Sequence, residues 1–267
     1  MKKYHYKDYE FEVVEFSEKF DIYCQSEFKE WLKLDKWKSF ISFQEALLDE
    51  ILDLGFNIDG KFNIMIATKG DEFKEITKTP YESGICDAIL GDDVFLVFDD
   101  LIAENFICEN IPSSKKKMII HEWAHMVVYK YNNKLTHTLN EGLADLIPLY
   151  ILNYQDEMPE YVEKLKALNK ESLVSVDYID EYDVLDDNLQ ETAQNKHTYL
   201  SCYLFILNIM KNIEVKYDLD KLKALKFFLT LMRVHNKHHY EVIAEILDLS
   251  LEKLKFNDFQ LEALEHI

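Results

Sequence analysis

From Met118 to Tyr129 the chain runs through Met118, Ile119, Ile120, Trp123, Ala124, Met126, Val127, Val128 and Tyr129 with neither Gly nor Pro, and the polar residues set into that run are His121, Glu122 and His125. Such a stretch predicts a helix, with most of its surface buried. Positions four apart lie one turn apart on nearly the same face, so the rings of His121 and His125 can converge on one ion. At 3.6 residues per turn, Glu122 sits about 100° round from His121 and about 60° from His125, beside the ion and free to act as a base.

A catalytic zinc generally takes three protein ligands and keeps a fourth position for water. Glu141 is the expected third ligand. It opens a second apolar run, Leu143, Ala144, Leu146, Ile147, Leu149 and Tyr150, and Asn140 before it is a favourable N-cap. Pro148 is expected to kink or end that helix about two turns in, leaving Glu141 on its first turn. Asn132-Asn133 provides the turn that brings this helix back beside the first. Asp145, one turn after Glu141, is placed to accept a hydrogen bond from the non-coordinating nitrogen of a ligand histidine, His121 first.

These residues resemble the gluzincin metallopeptidases, the group of thermolysin and the aminopeptidase-N-like enzymes, in which the third zinc ligand is a glutamate on a second helix. The N-E-G-x-A string at 140 to 144 is similar to the aminopeptidase-like form. Phe62 to Ile66 with Asp71-Glu72-Phe73, and Gly84 to Phe98, resemble the strand, following segment and edge hairpin of small peptidases with this core. The stretch Tyr199 to Phe205 resembles the helix that supplies a transition-state hydroxyl. The resemblance implies a zincin-like fold, one Zn2+ on His121, His125 and Glu141, Glu122 as general base, and Tyr199 as the oxyanion donor. His197 is the second candidate for that last role. Two features depart from the pattern: only fifteen residues separate His125 from Glu141, which suits a compact relative, and no G-x-M-E-N string supports exopeptidase action.

The formal charge of −20, from 50 acidic and 30 basic side chains, argues against nucleic acid and anionic membrane as partners. A peptide or protein substrate is expected instead. The charged N-terminus, Met1-Lys2-Lys3-Tyr4-His5-Tyr6-Lys7-Asp8, lacks the apolar core of a secretory signal, and no stretch approaches a membrane span, so the expected location is the cytoplasm. Cys24, Cys86, Cys108 and Cys202 form no C-x-x-C and read as reduced core thiols rather than metal ligands.

Strands are expected at Tyr9 to Phe16, Phe62 to Ala67, Gly84 to Leu90 and Asp93 to Phe98, one or two amphipathic helices over Glu27 to Leu54, and helices from Ser113 onward. The architecture is then α+β: a small mixed sheet packed on the zinc-bearing helices, followed by an all-helical C-terminal lobe. The lobes are drawn as 1–154 and 155–267, with the break around Asn153 to Pro159. His137 reads as a loop residue, and the pair His235 and His239 as a solvated helix end.

The expected chemistry is hydrolysis of a peptide bond by a zinc-activated water, with Glu122 taking the water proton and passing it to the leaving amine. The edge strand at Gly84 to Leu90 would bind an extended peptide by strand addition. Two alternatives stand beside it: a zinc-fold regulatory or peptide-binding module with little turnover, and a hydrolase acting on non-peptide amides.

Overall fold

The structure is a computed structural model that describes residues 3–15, 17–26, 28, 35–105, 113–152, 163, 166–167, 172–181, 193–234 and 238–266. It is α+β, and its chain divides into two compact units, Met1–Glu50 with Ile58–Met126, and Ile51–Asn57 with Val127–Ile267.

The first unit is built on six strands: β1 (Lys3–Tyr6), β2 (Tyr9–Glu15), β3 (Phe20–Cys24), β4 (Phe62–Ala67), β5 (Ile85–Leu90) and β6 (Asp93–Asp99). Their order in the sheet is β1-β2-β3-β4-β6-β5. Strand β4 runs parallel to both neighbours, β3 and β6, while β1-β2, β2-β3 and β5-β6 are antiparallel, so the sheet is mixed. A strand between two parallel neighbours is buried on both faces, which explains the unbroken apolar run Ile64-Met65-Ile66-Ala67. Met65 and Ala67 pack with Tyr23, Phe95, Val97 and Ala88 on one face, covered by Phe73 and Ile76 of α2 (Asp71–Thr77).

The other face meets α1 (Asp35–Asp53) and the first part of α4 (Ser113–Tyr131); α3 (Asp100–Asn105) follows β6. The indole of Trp123 on α4 packs edge-on against Phe62 and tilted against Phe20, and Phe40 of α1 packs edge-on against Phe98. The Trp123 indole N–H donates to Oε1 of the fully buried Gln44 at 2.6 Å, which meets the requirement that a buried donor be paired. Along α4, Ile119, Ile120, Trp123, Ala124, Met126, Val127 and Val128 are all buried, as a helix apolar on every side demands.

The second unit is helical: α5 (His137–Ile151), α6 (Val176–Glu181), α7 (Ala193–Tyr217), α8 (Lys221–Val234), α9 (His239–Leu247), α10 (Leu251–Lys255), α11 (Asn257–Glu262) and a closing 3-10 turn at Ala263–His266. Helices α5 and α7 are packed at contact distance around Gly142. A Cβ built there would lie 2.4 Å from Cγ1 of Ile206 and 2.6 Å from the carbonyl oxygen of Cys202. Phe205 of α7 anchors the remaining helices through edge-on contacts with Tyr240 and Phe259.

Several expectations are met closely: β4 at Phe62–Ala67, β5 and β6 around a two-residue turn opened by Gly91 (φ 69°), and the start of α4 at Ser113. Others need correction. Strands β1 and β3 were not expected. Helix α5 begins at His137, not after Asn140, so Glu141 lies in its second turn; Pro148 sits inside the helix, which continues to Ile151. The Asn153 to Pro159 break assigned to the lobe boundary lies outside the described residues, as does Cys108.

Candidate metal centre

Helix α4 presents His121 and His125 with their Nε2 atoms 3.0 Å apart and their ring planes at 85°. A tetrahedral ion with zinc–nitrogen bonds of about 2.0–2.1 Å holds two nitrogens about 3.3 Å apart, so the two rings are already aimed at one point. His125 is 5% exposed and His121 is half-buried. In the second unit, Glu141 on α5 is 8% exposed and offers a carboxylate as the expected third ligand. Two imidazoles and a carboxylate are the donor set of a three-ligand catalytic zinc, so the residues present fit that ion.

Glu122, half-buried, reaches the sheet. Its Oε2 accepts the backbone N–H of Asp87 on β5 at 3.1 Å. The register explains why that N–H is available. Leu90 and Asp93 flank the two-residue turn as a hydrogen-bonded pair, and Gly84 and Asp99 are bonded at the far end, so the alternation leaves Asp87, opposite Leu96, with its N–H directed outward from the open edge. A carboxylate on α4 is thus held by β5, the last strand in the sheet order.

The local fold of α5 follows from its capping. Thr136 occupies the N-cap but makes no side-chain capping bond; its hydroxyl is paired with that of Tyr240 at 2.8 Å. The cap is supplied by Asp180 of α6, whose Oδ1 accepts the Thr138 backbone N–H at 2.9 Å and the Thr138 hydroxyl at 2.8 Å, while its Oδ2 accepts the Tyr240 hydroxyl. A carboxylate at a helix N-terminus satisfies an orphan donor and complements the helix dipole. Burial, followed by the Asp180 charge, raises the Tyr240 phenol well above its ordinary pKa, which keeps it a donor.

Glu141 and Asp145 lie on the buried side of α5. Their effect is felt on α7: burial first, then the charges of Glu141, Asp145 and Asp180, push the Cys202 thiol far up. Tyr203 is also raised, by burial and then by Asp145. Tyr203 is buried, whereas Tyr199, one turn earlier on α7, is 40% exposed. His197 is also on α7.

His137 is not a loop residue. It opens α5, with its Nε2 4.0 Å from Oε1 of Glu141 one turn on. His239 opens α9, is buried rather than solvated, and lies 3.3 Å by Nε2 from Asn132 Nδ2; His235 lies outside the described residues. Sequence reasoning missed Asp180 and the Asp87 amide. Neither carries a local signal, since one caps a helix 42 residues away and the other contributes only its backbone.

No family model and no curated protein matches the chain.

Proposed function

We propose that this protein is a cytoplasmic zinc-dependent peptidase of zincin-like fold and gluzincin type. The observation that carries this reading is the convergence of the His121 and His125 rings, Nε2 to Nε2 3.0 Å apart, on the helix that also bears Glu122; Glu141 is assigned as the third ligand. Bound there, a zinc ion would supply Lewis acidity and a water acidified to a pKa of about 7. Glu122 takes the proton of the attacking water and delivers it to the leaving amine. Its tie to the Asp87 N–H holds the carboxylate near the edge strand, where an extended peptide would lie.

Asp145 is assigned to a hydrogen bond that fixes the His121 tautomer, and the oxyanion donor to α7, with Tyr199 the first choice and His197 the second. Cys24, Cys86 and Cys202 form no disulfide among the described residues, which suits a cytoplasmic setting. No helix among the described residues is long and apolar enough to cross a membrane.

The test is metal analysis and hydrolysis of a mixed peptide pool by wild type, Glu122→Gln and Glu141→Ala. The expected result is one zinc per chain with cleavage in wild type, zinc without cleavage in Glu122→Gln, and zinc lost or weakened in Glu141→Ala. Full turnover by Glu122→Gln would eliminate the base assignment, and no zinc in wild type after reconstitution would eliminate the reading. Unchanged turnover in Tyr199→Phe would remove Tyr199 from the oxyanion role.

A further inference from the structure

A second group of metal-ligating atoms lies wholly within the first unit. The thiol of Cys86, the carboxylate of Asp87 and the carboxylate of Glu122 each offer an atom within 4.8 Å of the other two, and all three residues are half-buried. The strand geometry explains the grouping. Cys86 and Asp87 are consecutive on β5, so their side chains leave on opposite faces, but β5 is the outermost strand and Cys86 turns its Sγ over the open edge, 3.1 Å from the Asp87 carbonyl oxygen. Glu122 reaches the same edge from α4 and is held there by the Asp87 N–H.

We infer that Cys86, Asp87 and Glu122 form a second cation site, selective for thiophilic divalent ions such as Zn2+ and Cd2+, which takes Glu122 out of use as a base when it is filled. The chemistry of the donors sets the selectivity. A thiolate favours zinc and cadmium over magnesium and calcium, and two carboxylates complete a three-ligand shell with room for water. A tetrahedral zinc holds sulfur and oxygen donors about 3.5–3.7 Å apart, inside the separation of up to 4.8 Å seen within this group. On binding, the Cys86 S–H proton is released to solvent and sulfur donates its electron pair to the ion. Because Glu122 is shared, filling this site opposes turnover. That consequence rests on the function proposed above, whereas the site itself does not.

The experiment follows alkylation of Cys86 by iodoacetamide, read by peptide mass spectrometry on the full chain, with and without Cd2+. The expected result is that Cd2+ slows Cys86 alkylation about tenfold or more in wild type and equally in the His121→Ala/His125→Ala variant, with a thiolate-to-cadmium charge-transfer band in both. Asp87→Asn and Glu122→Gln are expected to weaken the protection severalfold. Equal alkylation with and without Cd2+ in wild type overturns the site. Protection that disappears with the two histidines shows a single shared site and overturns it too. Protection indifferent to both Asp87→Asn and Glu122→Gln reduces the site to a lone thiol, with the same result. These readouts need no activity, so a failure of the peptidase reading is seen separately, as absence of zinc at the histidines. If turnover is present, excess Zn2+ is expected to inhibit wild type and spare Cys86→Ser.

Discussion

Gly142→Ala tests whether the close packing of α5 on α7 sets the position of Glu141. The added Cβ would lie 2.6 Å from the Cys202 carbonyl oxygen, about 0.8 Å short of an ordinary contact. Ile206 can yield by rotation, but the Cys202 carbonyl is backbone, so the helices must part. Overpacking of this kind costs about 1–3 kcal/mol. The gain in helix propensity from Gly to Ala offsets about 1 kcal/mol of that. A net loss of up to about 2 kcal/mol lowers Tm by up to roughly 8 °C in a chain of this size. Glu141 adjoins the displaced residue, and coordination tolerates only about 0.2 Å, so zinc affinity is expected to fall about 10–100-fold. Thermal unfolding by circular dichroism and zinc competition against a chromogenic chelator measure the two effects. A Tm raised as propensity alone dictates, with zinc affinity unchanged, would refute the reasoning.

Other outcomes follow from the same geometry. Asp180→Ala removes the cap of α5 and is expected to cost about 1–2 kcal/mol in denaturant unfolding, with a double-mutant cycle against Tyr240→Phe giving a coupling of about 0.5–3 kcal/mol. Burial, with His238 adding to it, lowers the pKa of His239 in the folded protein. The unfolded chain therefore binds the proton first, and stability contributed at this position falls as pH drops below about 6.5 toward the folded value. His239→Gln should flatten the fall in denaturant midpoint between pH 7.5 and 5.5, both approximate settings chosen to bracket that pKa. Chelation is expected to destabilise zinc-loaded wild type by about 2.7 kcal/mol from a starting point of 100 times Kd, and to leave Tm unchanged in His121→Ala/His125→Ala.

The parts of the fold that local pattern determines could be read from the chain. Ile64–Ala67 of β4 and most of Ile119–Val128 of α4 are apolar because they are buried, and β5-β6 announces itself by Gly91 between two strand-like runs. The ligand spacing at His121 and His125 is a property of one helix and needs no tertiary information. What was hidden depends on distant partners. Asn140 has the chemistry of an N-cap, yet α5 starts at His137 rather than at Glu141, and Asp180 caps it from another helix. Strand β3, Phe20 to Cys24, is short and gains its place from parallel pairing with β4, some forty residues further on. The glycine in N-E-G reads as part of a motif, but its physical role is to let α7 approach.

The remote cap on α5 also has an order in time. Both histidines and Glu141 are made before residue 142, but the side chains that settle the start of Glu141's helix arrive with Asp180 and then Tyr240. A chain still in synthesis at residue 200 would hold two ligands ready on α4 and a third on a helix whose first turn lacks the Tyr240 hydroxyl. The first turn of Glu141's helix is therefore completed only once residue 240 has been made, about a hundred residues after Glu141 itself.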